Sequence, residues 1–208
     1  QQISWDQAFD EIGGELAEII VEHGPEALID DHSANGIGVM RGGDLAAVGK
    51  LVAAGGRLAL RLYEAPLPIV LGCTGHALAM GAVALLAADL RVGPLGDFKI
   101  GLNEVAIGLT LPTFATELAR ARLSPRHLQR AAVLAEVYDG PGAVEAGFLD
   151  FVAPADKVEG VAIEAASRLA ALHAGAHHAT KRRVRKAAIA ALRKSLDEDL
   201  SDIGRVGS

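Results

Sequence analysis

From Ala77 to Ala88 the chain carries no charged or polar side chain. A helix that is apolar on every face belongs in the middle of a fold. Its flanking segments indicate what surrounds it. Ile69-Val-Leu-Gly-Cys73 and Leu90-Arg-Val92 have the composition of short buried strands, and Ala65-Pro-Leu-Pro68 stops the helix before them. A short strand, a buried helix and another short strand predict a layered α/β core.

The remaining segments extend that pattern. Asp44 to Tyr63 is a predicted helix with Leu45, Val48, Leu51, Val52, Leu58 and Leu62 on its apolar face, bent at Gly55-Gly56. Phe98-Lys-Ile100 is a short strand and Pro112 to Arg122 a helix. Ser124-Pro125 opens the next helix, with Ser as cap and Pro in the first turn. Gly140-Pro-Gly142 marks a turn, Ala143–Gly147 a helical turn, and Phe148–Val152 a strand. Two Ala-rich helices follow, Lys157 to Leu172 and His178 to Leu200. Near the N-terminus, residues 3–21 form an amphipathic helix, 25–30 a short strand, and Asp30 to Gly36 a loop. The expected organisation is an α/β core over 1–156, atypical or incomplete in its N-terminal part, and a helical region over 157–208.

Composition removes several function classes. The net charge is −6, which argues against nucleic acid as the main partner. Cys73 is the single cysteine, so no internal disulfide forms, and a reducing compartment is expected. No stretch is long and apolar enough to span a membrane, and the N-terminus is too acidic for a signal peptide. A cytoplasmic protein without a membrane partner is the resulting expectation. The glycine-rich turns lack a phosphate-loop lysine and a dinucleotide fingerprint.

One carboxylate stands apart. Glu104 lies in Gly101-Leu-Asn-Glu-Val-Ala-Ile-Gly108, among Leu, Val, Ala and Ile. A carboxylate in such surroundings is desolvated, which raises its pKa toward the range of a proton shuttle. Upstream, Thr74-Gly-His-Ala-Leu-Ala-Met-Gly-Ala82 has the form of a strand end, a tight turn and a helix start. N–H groups at a helix start can hold an enolate oxygen. A proton shuttle beside an oxyanion donor is what chemistry next to a thioester carbonyl requires.

These segments, taken in order, resemble the crotonase superfamily, the enoyl-CoA hydratase/isomerase family. The resemblance rests on Ala65-Pro-Leu-Pro-Ile-Val70, Thr74-Gly-His-Ala-Leu-Ala-Met-Gly81, Ala88-Asp-Leu-Arg-Val92, Phe98-Lys-Ile-Gly-Leu-Asn-Glu-Val-Ala-Ile-Gly108 and Glu145-Ala-Gly-Phe-Leu-Asp-Phe-Val152. It covers residues 40–195. It implies a spiral of ββα units, C-terminal helices that pack on neighbouring subunits, a homotrimer or hexamer, and acyl-CoA thioester substrates. Coenzyme A is then part of the substrate, and no separate cofactor is expected.

Carried over by position, Gly81 matches the glycine whose N–H makes half of the family's oxyanion hole. Glu104 matches one of the two glutamates that hydratases use. The other falls at Val83, which can neither give nor take a proton. The resemblance therefore implies isomerase-type proton transfer ahead of hydration, within fatty-acid metabolism. The alternatives are a true hydratase, a lyase by reaction class, and a non-catalytic acyl-CoA-binding member of the fold. The family's first oxyanion glycine has two candidate segments. Val39-Met-Arg-Gly-Gly-Asp-Leu45 would supply Gly43. Ser33-Ala-Asn-Gly-Ile-Gly-Val-Met40 would leave the helix from Asp44 without gaps.

Other polar residues carry plainer readings. Asp89 resembles a family aspartate and is expected to satisfy buried backbone N–H groups. His76 is expected as a satisfied, half-buried side chain, Glu136 in a structural hydrogen bond or at the pocket rim, and Cys73 as a small buried hydrophobe. His173, His177 and His178 cluster without partner ligands of metal-site type, so no metal is expected. The basic run Lys181-Arg-Arg-Val-Arg-Lys186 has two readings. One is the solvated face of a helix whose buried side carries Val184, Ala187, Ala188, Ala191 and Leu192. The other, implied by family position, puts Lys181 on a phosphate of coenzyme A.

Overall fold

The computed structural model describes residues 45–206, with side-chain detail from Val52 to Leu196. The expectations for residues 3–36, for the Ser33–Met40 segment and for Gly43 lie outside the described residues.

The order is helix α1 (Leu45–Glu64), strand β1 (Val70–Gly72), β2 (Ala77–Leu78), helix α2 (Met80–Ala87), β3 (Leu90–Leu95) and β4 (Ile100–Gly101). A 3₁₀ turn over Val105–Ile107 leads to α3 (Thr113–Arg122), α4 (Pro125–Ala132) and α5 (Gly140–Ala146). Strand β5 (Phe151–Pro154) follows, then α6 (Val158–Ala170) and α7 (Ala174–Val206). Successive strands go to different sheets. β1, β3 and β5 form one parallel sheet in the order β1-β3-β5, with Val70 opposite Leu90 and Val92 opposite Phe151. β2 and β4 pair in parallel in a second, with Ala77 opposite Ile100 and Leu78 opposite Gly101. The first two windings each lay one strand in each sheet before entering a helix, and the third adds β5 to the first sheet alone, which is the ββα pattern that the resemblance implies.

The apolar helix is central, as its composition requires. Ala82, Leu86 and Ala87 of α2 have no exposed surface. α7 packs over α1 and α3, joining Leu192 and Leu196 to Leu58, Phe114 and Leu118 in one cluster. α1 runs unbroken through Gly55-Gly56. The pair permits close packing: a methyl group on Gly56 would lie 2.4 Å from Leu196 Cδ2 and 3.0 Å from Phe114 Cδ1.

Several boundaries differ from the sequence expectation. Ala77 and Leu78 open the segment as β2, because their backbone pairs with β4, and α2 begins only at Met80. Gly140-Pro-Gly142 is the first turn of α5. Asp139 caps it, with Oδ1 accepting from the Gly142 N–H at 2.8 Å, and the proline sits where its missing N–H costs nothing. Phe148 is fully buried in the loop ahead of β5, which starts at Phe151. α7 begins four residues before His178.

The largest correction concerns the face of α7. Val184 is 79% exposed, whereas Lys181, Arg185, Leu192, Ser195 and Leu196 are buried. Two cations are turned inward because the packing surface offers them anionic partners. Lys181 Nζ lies 2.6 Å from Asp89 Oδ2 and donates to the Leu67 carbonyl at 3.2 Å. Arg185 reaches Asp89 Oδ1 at 2.8 Å and the Tyr63 carbonyl at 2.6 Å, with its guanidinium over the Tyr63 ring. A second pair, buried only on its arginine side, ties β3 to the approach to β5: Arg91 bonds both oxygens of the exposed Asp150, at 2.9 and 2.8 Å.

Candidate active site

The short parallel pair β2–β4 brings the two sequence motifs together. Its strands end on the same side, and the Ala79 N–H continues the ladder to the Gly101 carbonyl at 3.1 Å. From that shared end one chain runs into α2 through Gly81, and the other into the 3₁₀ turn through Glu104. Ala79 takes φ 48° and ψ −118°, a conformation that L residues rarely adopt. It is the hinge that turns strand β2 directly into helix α2. Such a local cost, of order 1–3 kcal/mol, is found where backbone geometry is held for a purpose.

Gly81 occupies the first turn of α2, where backbone N–H groups have no intrahelical acceptor. Packing does not explain the glycine. A methyl group there would meet only Ala77 Cβ, at an ordinary 3.7 Å. The contrast with Gly56 is direct, since a methyl at that position would collide. Leaving out the side chain at Gly81 exposes the helix-start backbone to close approach.

Glu104 is 8% exposed, and its Oε2 is buried without a hydrogen-bond partner. Burial pushes its carboxyl pKa above the usual range, against a smaller lowering by its own backbone N–H. The neighbouring Asn103 Oδ1 is likewise buried and unpartnered. Buried polar atoms normally find partners, so an orphan acceptor on each of two successive residues sets this turn apart. The Glu104 carbonyl is fixed by the Ile107 and Leu109 N–H groups, at 3.1 and 2.9 Å, and Gly108 closes the turn with φ 81°.

Apolar side chains flank this position. Val105 and Ile107 are exposed in the 3₁₀ turn. Val133, Leu134 and Val137 are exposed in the segment that crosses β4 through the Ile100–Tyr138 bridge, and the Val137 backbone lies against Gly101. Val83, the position of the second hydratase glutamate, is 2% exposed in the central cluster.

The remaining sequence candidates fall as follows. His76 is half-buried, with Nδ1 accepting from the Lys99 N–H at 2.9 Å. Asp89 accepts from the Ile69 N–H at 2.7 Å. Cys73 is buried and donates to the Gly75 carbonyl. Glu136 pairs with Arg130 and accepts from the Tyr138 hydroxyl. Lys181 Nζ is held by Asp89, just past the C-terminal end of α2, and that helix end lies about 9 Å from Gly81 at 1.5 Å per helical residue. The sequence reading missed Asn103 and Arg122. The signal for Asn103 was its place next to Glu104; for Arg122 there was none short of the tertiary structure. Among the described residues no group of three His, Cys, Asp or Glu is arranged to hold a metal, and no helix is long and apolar enough to cross a membrane.

Comparison with known proteins identifies the family. The chain is 30% identical over 146 residues to human mitochondrial enoyl-CoA delta isomerase 1, a match covering 69% of this chain and 48% of that protein. It thus spans about half the length of that relative. A probable enoyl-CoA hydratase from Mycobacterium tuberculosis H37Rv superposes with a TM-score of 0.78 at 38% identity, over 82% of this chain and 72% of the other. A second structure of the same M. tuberculosis protein, described there as an enoyl-CoA isomerase, superposes at 0.73 with 40% identity, over 76% and 70%. The family model described as enoyl-CoA hydratase/isomerase matches residues 37–204, and the chain belongs to that family.

Proposed function

We propose that the protein is an acyl-CoA enzyme of isomerase type, moving a double bond by proton transfer through a thioester enolate. The observation that carries this reading is the buried Glu104 carboxyl, with its raised pKa and its unpartnered Oε2. The Gly81 N–H receives the thioester carbonyl oxygen. Glu104 takes a proton from the α-carbon of a 3-enoyl thioester, and the electron pair spreads over the carbonyl and the alkene as a dienolate. The N–H donor stabilises the negative oxygen where charge develops. Glu104 then returns the proton to the γ-carbon, leaving the 2-enoyl thioester. One carboxyl, deprotonated at the start and at the end, completes the cycle. The exposed valines and isoleucine beside Glu104 suit an acyl chain.

Hydration is the second reading, favoured by the hydratase names among the similar structures. It needs a group to share the water with Glu104, and Val83 offers none. The test is an assay with 3-enoyl-CoA and 2-enoyl-CoA offered separately, following the conjugated-thioester absorbance. A rise with the 3-enoyl substrate, abolished in Glu104→Gln, supports isomerisation. A fall with the 2-enoyl substrate alone means hydration. No change with either, despite acyl-CoA binding by calorimetry, means a binding protein.

A further inference from the structure

At the C-terminal end of α2, away from Gly81, a cleft of about 480 Å³ opens between α2, α3 and the start of α7. Its polar lining includes Asp89, Arg122, His177, Thr180, Lys181 and Arg185. Neither Glu104 nor Gly81 takes part.

The charges do not balance. Among the described residues Asp89 is the single carboxylate in the lining, and both its oxygens are already used, Oδ2 by the Ile69 N–H and Lys181 and Oδ1 by Arg185. Arg122 is left over. One of its terminal nitrogens donates to the Ala88 carbonyl, and its Nε is buried without a hydrogen-bond partner. The nearest other carboxylate that acts on it, Asp150, is held on both oxygens by Arg91. Burial, with Arg91 and Arg185 close by, brings the Arg122 pKa down to about 10, the signature of a cation short of countercharge. His177 Nδ1, on the facing helix, is a second buried nitrogen with no partner. The first turn of α7 borders the same space, and a helix start favours negative charge. Arg122 and His177, on different helices, thus line one cationic cleft, and each carries a buried nitrogen without a partner.

We propose that this cleft is an oxyanion site that holds a phosphate or carboxylate group between Arg122 and His177. The oxyanion pairs with the Arg122 guanidinium and meets the His177 ring, and it supplies the countercharge that Asp89 cannot. Leu172 and Val184 at the rim are exposed, so the body of the ligand beyond its anionic group meets apolar surface.

The test titrates the full chain with inorganic phosphate, and separately with acetate, at constant ionic strength made up with chloride. Binding is followed by calorimetry and by thermal shift. The wild type is compared with Arg122→Gln, which removes the cation, and with Thr180→Glu, which puts a carboxylate into the cleft from an exposed helical position. Saturable binding is expected in the wild type. In Arg122→Gln the affinity is expected to fall by about ten- to a hundredfold, the loss that follows removal of one hydrogen bond to a charged group, and in Thr180→Glu it is expected to fall through like-charge repulsion. Response to phosphate alone identifies a phosphoryl ligand, and response to acetate alone a carboxylate; either supports the site. An unsaturable response, or the same response in the wild type and in Thr180→Glu, overturns it even where Arg122→Gln fails to fold. Activity on enoyl-CoA is read separately and does not enter the decision.

Discussion

The Asp89 carboxylate meets the Lys181 ammonium at 2.6 Å across 92 residues of sequence, and the same oxygen accepts the Ile69 N–H just before β1. One side chain therefore fixes the entry to the sheet, the exit from α2 and the inward face of α7. Asp89→Asn would leave Lys181 and Arg185 buried without their common anion. Removing one partner of a buried pair costs about 3–5 kcal/mol. Urea unfolding is expected to show a midpoint shift of that size with an unchanged slope. A loss below about 1 kcal/mol would instead be the behaviour of an exposed pair.

Lys181 also sets a pH dependence. Burial outweighs the attraction of Asp89 and brings its pKa from 10.5 down to about 8. Between those two values the unfolded chain holds the proton and the folded chain does not, so stability from this group rises with pH across that window. Lys181→Met has no such group. The wild type is therefore expected to gain on Lys181→Met as pH goes from 8 to 10.5, by on the order of 3 kcal/mol. Parallel stability curves for the two proteins would rule this out.

Glu104 shows the opposite sign. Its folded pKa lies above its unfolded value of 4.5, because burial penalises the anion. The folded state holds more protons as pH climbs from 4.5 to that raised value, so stability is lost over that window. Glu104→Gln does not pay this cost and is expected to melt higher than the wild type at neutral pH, with the gap closing below pH 4.5. The same substitution removes the proton carrier, and turnover is expected to fall by about 10²–10⁴-fold. Melting curves across pH, run beside the 3-enoyl-CoA assay, check both halves.

How much of this was legible in the sequence depends on whether local pattern or distant partners decide. Ala77–Ala88 announced a central helix because burial on all faces needs only composition. Glu104 and Gly81 stood out as candidates by their local surroundings and by the family resemblance, whereas the β2–β4 pairing that carries their motifs to a shared strand end was not readable. The face of α7 was not, since its buried cations answer to Asp89 and Tyr63, far away in sequence, and local periodicity favoured Val184 instead. The strand start at Ala77 was lost for the same reason: its partner, Ile100, is 23 residues on. Asp139 ahead of Gly140-Pro-Gly142 was a readable cap, outweighed by the turn composition that follows it.

Two glycines of similar appearance are expected to respond in opposite directions. Gly147 ends α5 with φ +100°, and a methyl group there would sit 2.8 Å from the Arg122 carbonyl, a backbone atom that cannot rotate away. Its own carbonyl accepts from Arg91 Nη1 at 2.8 Å, so movement of Gly147 would also disturb the Arg91–Asp150 pair. Gly147→Ala is expected to cost about 1–3 kcal/mol from the backbone conformation alone, with the steric contact added. Gly160 is exposed inside α6, and a methyl group there would meet nothing within 4 Å. Gly160→Ala restricts the unfolded chain and suits the helix, and it is expected to stabilise by about 0.4–1 kcal/mol. Thermal and chemical unfolding of the two variants decide the point together. If Gly147→Ala unfolds like the wild type, the left-handed turn before Phe148 is not what holds α5 against β3.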